Sequence, residues 1–170
     1  MPPSFETLDV SIEEQVATVH LNRPDKANAM NGAMWDELQS CFEWLDAEPD
    51  VRVVILAGSG KHFCAGLDLS VFGSLGSSSK DPARRAESLR RTVLRLQGNL
   101  TAIEQCRVPV LAAIHNTCIG GGVDMVCCAD MRYATEDAYF SIREIDIGMT
   151  ADVGTLQRMP RIVPDGVVRE

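Results

Sequence analysis

Hydrophobic and polar positions alternate strictly near the start of the chain. Val16, Thr18 and His20 fall on one face of an extended segment, and Ala17, Val19 and Leu21 on the other. Phe5, Leu8 and Val10 precede an acidic turn at Glu13 and Glu14, so the pattern predicts a β-hairpin. Arg23, Pro24 and Asp25 end it with turn chemistry. The period then changes. Met34, Leu38, Phe42 and Leu45 recur at spacings of 4, 4 and 3 after Asn31, a good N-cap. That predicts an amphipathic helix closed by Pro49, followed by a buried strand over the β-branched run 51–56.

Residues 58–80 read as loop, and the Gly/Ser-rich end, 73–80, predicts a mobile stretch. Asp81 and Pro82 are a cap and a first-turn proline. Ala86, Leu89, Val93, Leu96, Leu100 and Ile103 then follow at alternating spacings of 3 and 4, so a long helix runs to just before Pro109. Arg84, Arg85, Arg90, Arg91 and Arg95 lie on its other face. They form either a solvated face or a rim facing an anionic, phosphate-bearing ligand. A strand over 110–115, a triple glycine at 120–122, a short apolar helix from Val123 and strands over 131–134 and 138–142 complete the pattern. Strands and helices alternate as repeated ββα units, which places the chain in the α/β class.

Composition narrows the function. The 170 residues are 45% hydrophobic and 24% charged, a globular balance. With 16 basic and 24 acidic residues the net charge is −8, against a general nucleic-acid binder, which needs a basic surface to displace counterions. No apolar run is long enough to span a membrane. The acidic first residues do not read as a signal peptide. Cys41, Cys64, Cys106, Cys118, Cys127 and Cys128 show no C-x-x-C pair and read as reduced, mostly buried thiols. His20, His62 and His115 show no ligand spacing, so no metal site is expected. Residues 58–61 resemble the end of a phosphate loop, but Ile55 and His62 stand where that motif requires glycine and Ser/Thr.

Two turns of similar design remain, 63–68 and 119–124, each after an apolar strand. Small residues let a ligand approach the backbone. A helix beginning at the triple glycine leaves N–H groups free, and two such donors converging on one carbonyl oxygen stabilise an enolate. Three acids follow: Asp124, Glu144 and Asp152, the first and last in apolar surroundings that favour a raised pKa and proton transfer. Asp130 and Asp146, near strand ends or turns, read as structural.

The stretches 62–68, 109–115 and 119–124, with the strand before Glu144, resemble the crotonase (enoyl-CoA hydratase/isomerase) superfamily in order and spacing from Asn22 onward. Within it, Asp after the triple glycine, then Glu, then Asp eight residues on is similar to the Δ3,5-Δ2,4-dienoyl-CoA isomerases. The resemblance implies a superhelix of ββα units and a fatty acyl-CoA substrate, with no cofactor beyond the coenzyme A of the substrate itself. It implies that the N–H groups of Leu67 and Gly121, with Gly122 adjoining, hold the thioester oxygen. Cys64, Ala65, Gly66, Asp68 and Leu69 would line the adenine and pantetheine path, with Lys26 and Ala27 beside it. Glu144 would remove the C2 proton, Asp152 would protonate C6, and Asp124 would sit near the acyl chain. Family members form trimers or dimers of trimers and are peroxisomal or mitochondrial; no targeting signal is visible, which leaves the cytoplasm open. The resemblance also implies a core domain over 1–170 without the family's C-terminal helical part, which leaves apolar residues such as Met149, Leu156, Met159 and Val163 short of partners. A hydratase or Δ3,Δ2-isomerase, and a silent acyl-CoA-binding or interaction subunit, are the alternatives. An acid at position 152 separates the first of these from a dienoyl isomerase, because a hydratase has no use for it.

Overall fold

In the computed structural model, which describes residues 2–74 and 78–169, the alternating segment is an antiparallel hairpin of β1 (Leu8–Glu13) and β2 (Val16–Leu21). Residues 75–77, inside the stretch predicted to be mobile, lie outside the described residues. Glu14 and Gln15 both have positive φ, 48° and 70°, the two-residue turn whose twist matches that of the strands it joins. Ala17, Val19 and Leu21 are fully buried.

Helix α1 (Gly32–Ala47) begins where Asn31 Oδ1 accepts the Met34 N–H at 2.9 Å. Its predicted stripe is buried, joined by Trp35 and Cys41. Strand β3 (Val53–Gly58) starts two residues later than the β-branched run, because the Val51 N–H is taken by the Glu48 carbonyl in the turn after α1. Helix α2 (Pro82–Gln105) is capped by Asp81, whose carboxylate accepts the Arg84 N–H at 3.0 Å. Three of the five arginines on its outer face pair with acids: Arg90 and Arg91 with Glu87, Arg95 with Asp36.

After β4 (Val110–Ile114) the chain makes a three-residue strand, β5 (Thr117–Ile119), too short to show in the hydropathy pattern. Helix α3 (Gly121–Cys128) begins two residues before the predicted Val123, so the second and third glycines of the triplet are its first turn. Then come β6 (Met131–Ala134), β7 (Tyr139–Ser141), α4 (Thr155–Arg158) and α5 (Asp165–Arg169).

The units β1-β2-α1, β4-β5-α3 and β6-β7-α4 repeat one design. Both strands of the first unit and the first strands of the later ones form one sheet, in the order β1-β2-β3-β4-β6, parallel from β2 onward. The second strands, β5 and β7, stack as another. In the unit that starts with β3 the second strand is reduced to single bridges: Cys64 pairs with Cys118 and Leu67 with Met30. Past the hairpin, each unit thus adds one strand to the large sheet and a short strand or bridge to the small one, in keeping with the repeated ββα pattern. The core between sheet and helices includes Phe42, Phe63, Leu38, Leu56 and Leu100, all fully buried. Each such side chain contributes about 1.5–3 kcal/mol.

One polar side chain ties this core to the loop above it. Asn28 is fully buried, with φ 54°, a left-handed conformation that asparagine tolerates better than most residues. Its Nδ2 donates to the carbonyls of Ser59 (2.9 Å), His62 (2.8 Å) and Phe63 (3.1 Å), and its Oδ1 accepts the Arg23 N–H at 2.9 Å. Replacing it by alanine strands buried carbonyls and adds backbone strain. Asn28→Ala is expected to cost about 2–4 kcal/mol of stability in urea denaturation; a loss below 0.5 kcal/mol, roughly that of an ordinary surface change, would refute this role.

Candidate active site

The segment 63–67 is held along both edges. On one side the Cys64 N–H donates to the Thr117 carbonyl and the Ile119 N–H to the Cys64 carbonyl, both at 2.9 Å. On the other, the Met30 N–H donates to the Gly66 carbonyl at 2.7 Å and the Asp68 N–H to the Met30 carbonyl at 3.1 Å. In such a parallel bridge Met30 spends both its backbone groups, while those of Leu67 point away from it. Gly66 makes the turn possible. Its φ is +85°, and a Cβ there would stand 2.7 Å from the Ile119 carbonyl oxygen and 3.4 Å from the Gly121 nitrogen. The segment therefore presses against the start of α3, where the N–H groups of Gly121 and Gly122 precede the first intrahelical bond.

Leu67 and Gly121 both line a cavity of about 340 Å³ whose wall is mainly apolar. Leu89, Val93 and Leu96 of α2 form one side of it, and Trp35 of α1 another. The predicted apolar stripe of α2 thus divides: its first half faces the cavity, while Leu100 and Ile103 enter the core. Trp35 was not among the sequence candidates. Its position beside Met34, off the core stripe of α1, was the one available signal.

All three predicted acids reach this cavity. Asp124, in the first turn of α3, is fully buried. Glu144 opens a 3-10 turn (Glu144–Ile147) shortly after β7, and its Oε1 is 3.1 Å from where a Gly120 Cβ would lie, so a larger residue at 120 would crowd it. Asp152 lies in the loop before α4, half-buried, with its carbonyl accepting from Gln97 Nε2 of α2 at 2.6 Å. Four buried side-chain polar atoms among the described residues lack a hydrogen-bond partner. Three belong to residues lining this cavity: Trp35 Nε1, Asp124 Oδ2 and Glu144 Oε2. Unsatisfied groups concentrated in one cavity are the mark of a site built for a ligand.

Burial is the main force on two of the acids. It pushes the Glu144 carboxyl up, reinforced by the charges of Asp124 and Asp152 and opposed by local backbone hydrogen bonds. It also pushes Asp124 up, opposed by two hydrogen bonds from Thr155 and by the Arg158 charge, and reinforced by Asp152.

The remaining candidates are placed differently. Ala65, Gly66 and Leu69 line the cavity. Lys26 is exposed on the turn Pro24–Lys26 and does not line it; Ala27 supplies a carbonyl to the Ala65 N–H at 2.9 Å. Cys64 is fully buried, its thiol donating to the Asn28 carbonyl at 3.3 Å and pushed up to about 12 by desolvation. Asp68 is held by Ser70 and by Arg23, at 2.9 Å, which lower its carboxyl to about 2. Gly122 packs against Cys64 and not on the cavity wall. Asn28, which shapes the whole segment, was missed; an asparagine in a turn before a glycine-rich loop was its only signal.

A model of the enoyl-CoA hydratase/isomerase family matches residues 11–170. The chain is 47% identical to a peroxisomal Δ3,5-Δ2,4-dienoyl-CoA isomerase of Arabidopsis thaliana, over 94% of this chain and 60% of that protein. It is equally identical to a mitochondrial Δ3,5-Δ2,4-dienoyl-CoA isomerase of Mus musculus, over 94% of this chain and 50% of that one. The chain therefore spans about half to three fifths of these relatives' length. Among solved structures, an enoyl-CoA hydratase/carnitine racemase from Magnetospirillum magneticum superposes with a TM-score of 0.85 at 31% identity, over 97% of this chain and 60% of that one.

The raised Glu144 pKa makes a prediction about stability. The folded protein holds this proton more tightly than the unfolded chain, so stability falls as pH climbs from near 4.5, the group's ordinary value, through its raised folded value. Glu144→Gln removes the titration. Urea denaturation should find the variant equal to the parent at low pH and more stable above neutrality. A variant less stable than the parent at high pH would mean that the ionised carboxylate is favoured by the fold.

Proposed function

The chain belongs to the enoyl-CoA hydratase/isomerase family, and from that premise we propose that it shifts the two double bonds of a 3,5-dienoyl-CoA to the 2,4 positions. The observation that carries this reading is the meeting of Glu144, Asp152, Leu67 and Gly121 on one apolar cavity.

The thioester oxygen sits between the N–H groups of Leu67 and Gly121. Glu144, as carboxylate, takes a proton from C2. The C2–H electron pair forms a C1=C2 bond as the carbonyl pair moves onto the thioester oxygen, giving an enolate conjugated with both double bonds, whose charge those two N–H groups stabilise. In a dry site such a donor is worth about 3–4 kcal/mol. Asp152, in its acid form, delivers a proton to C6; the double bonds settle at C2 and C4 and the thioester carbonyl is restored. One proton has left and one has arrived, so the product is an isomer. Glu144 ends protonated and Asp152 ionised, and one proton must pass between them before the next turnover. Asp124 lies beside the acyl chain, close enough to both acids that their charges act on its own. The segment 64–69 borders the path of the pantetheine arm. Every step is a proton transfer or a hydrogen bond made by this chain's own groups.

The similarity to two dienoyl-CoA isomerases supports the reading, as does the acid at 152. Glu144→Gln and Asp152→Asn should each reduce turnover of a 3,5-dienoyl-CoA by about 10²–10⁴-fold, while acyl-CoA binding changes little. The assay follows the absorbance of the conjugated 2,4-diene. Near-parent turnover by Asp152→Asn would overturn the assignment of Asp152 as the acid at C6.

A further inference from the structure

Thr155 is buried, 1% exposed, at the first position of α4. Its backbone N–H has no partner within that helix, and Gly154 before it offers no capping side chain. Both the Thr155 N–H and the Thr155 hydroxyl donate instead to one oxygen, Asp124 Oδ1, each at 2.6 Å. The other oxygen, Oδ2, is buried and has no protein partner. An oxygen that already accepts two hydrogens has no room for a third at the same distance.

We propose that Thr155 is the positioning residue of this site: by filling Oδ1 with two donors it confines any proton on Asp124 to Oδ2, so that this carboxyl meets the occupant of the cavity as a hydrogen-bond donor of fixed direction. The consequence for turnover rests on the isomerase reading; the placement of the proton does not. A donor held in this way supports negative charge building on the bound dienolate without reorganising during the reaction. The anchorage extends beyond Thr155. Arg158, one turn further along α4, bonds to Glu104 of α2 at 2.6 and 3.0 Å and to Thr101 Oγ1 at 3.3 Å, fixing α4 against the helix that walls the cavity. Among the described residues, the charged and titratable groups coupled to Asp124 are Glu144, Asp152 and Arg158 from the C-terminal segment, and Cys127 and Cys128 on its own helix. Among the described residues, only Thr155 donates to the carboxyl.

The test compares Thr155→Val, which keeps the N–H and the shape but loses the hydroxyl, with Thr155→Ser, which keeps both donors. The carboxyl carbons of aspartate-labelled protein are titrated by NMR, with Asp124→Asn assigning the signal. The lost hydrogen bond favoured the ionised form, so the Asp124 midpoint should rise in Thr155→Val and stay at the parent value in Thr155→Ser. With dienoyl-CoA, Thr155→Val should lose tenfold or more in kcat with KM within twofold, and Thr155→Ser should retain both. The proposal is overturned if folded Thr155→Val titrates as the parent does, or if Thr155→Ser is shifted as far as valine. Should the parent itself fail to isomerise dienoyl-CoA, the isomerase reading falls, and the Asp124 titration still decides the role of Thr155.

Discussion

The buried carboxamide of Asn28 is the constraint on which the site depends. One side chain satisfies three carbonyls, at 59, 62 and 63, and takes the N–H of Arg23. Buried backbone groups that lack a ladder partner are costly, and the segment after β3 has almost no ladder of its own. With Asn28 holding its entry and Met30 its exit, the segment can run past the start of α3 as a strand reduced to two bridges. That reduction leaves the Leu67 N–H without a ladder partner among the described residues. A full strand in this place would have consumed the group in pairing.

The same economy of pairing governs the acids. Glu144 and Asp124 each have one carboxyl oxygen buried without a partner, on a wall mainly of leucine, valine and tryptophan. Burial raises their affinity for protons because the cavity offers the charged form little solvation. A core designed for stability alone would replace both with apolar residues. The proposed proton transfer needs the opposite, carboxyls held above their ordinary proton affinity, and the cost is met by the surrounding β-sheet core. The one exit for this tension is Thr155, whose two donors fix one of the carboxyls without neutralising it.

Helix α2 joins the two halves of this arrangement. Its first turns supply Leu89, Val93 and Leu96 to the cavity, and its last turns bury Leu100 and Ile103 in the core. Through Gln97, Thr101 and Glu104 it also holds Asp152 and Arg158. One helix therefore sets both the apolar wall and the position of the acids that face it. The paired arginines on its outer side belong largely to the solvated face.

Much of this was legible in the chain itself. The hairpin, α1 with its Asn31 cap, α2 with its Asp81 cap and the ββα repetition follow from local periodicity, because capping and amphipathic burial act over a few residues. Asp124 and Asp152 stood out because a carboxylate sits badly in apolar surroundings unless it has a task, the two glycine-rich turns because small residues let a ligand approach the backbone, and Glu144 through the family resemblance. Other features depended on contacts between distant segments. Strand β5 has three residues, and only its pairing with β7 and Cys64 makes it a strand. Lys26, Ala27, Cys64 and Asp68 lie near the site in sequence, yet Lys26 is exposed, Ala27 and Cys64 are taken up by backbone contacts and Asp68 by Arg23 and Ser70. Asn28, Trp35 and Thr155 carry little pattern of their own, since each acts on a partner 30 or more residues away in the chain that only the folded superhelix brings close. Local physics thus determined which elements form and which residues are out of place. Only the stacking of the units decided which backbone N–H groups stay free and which carboxyl oxygens face the cavity, because those depend on how the strands run out of partners.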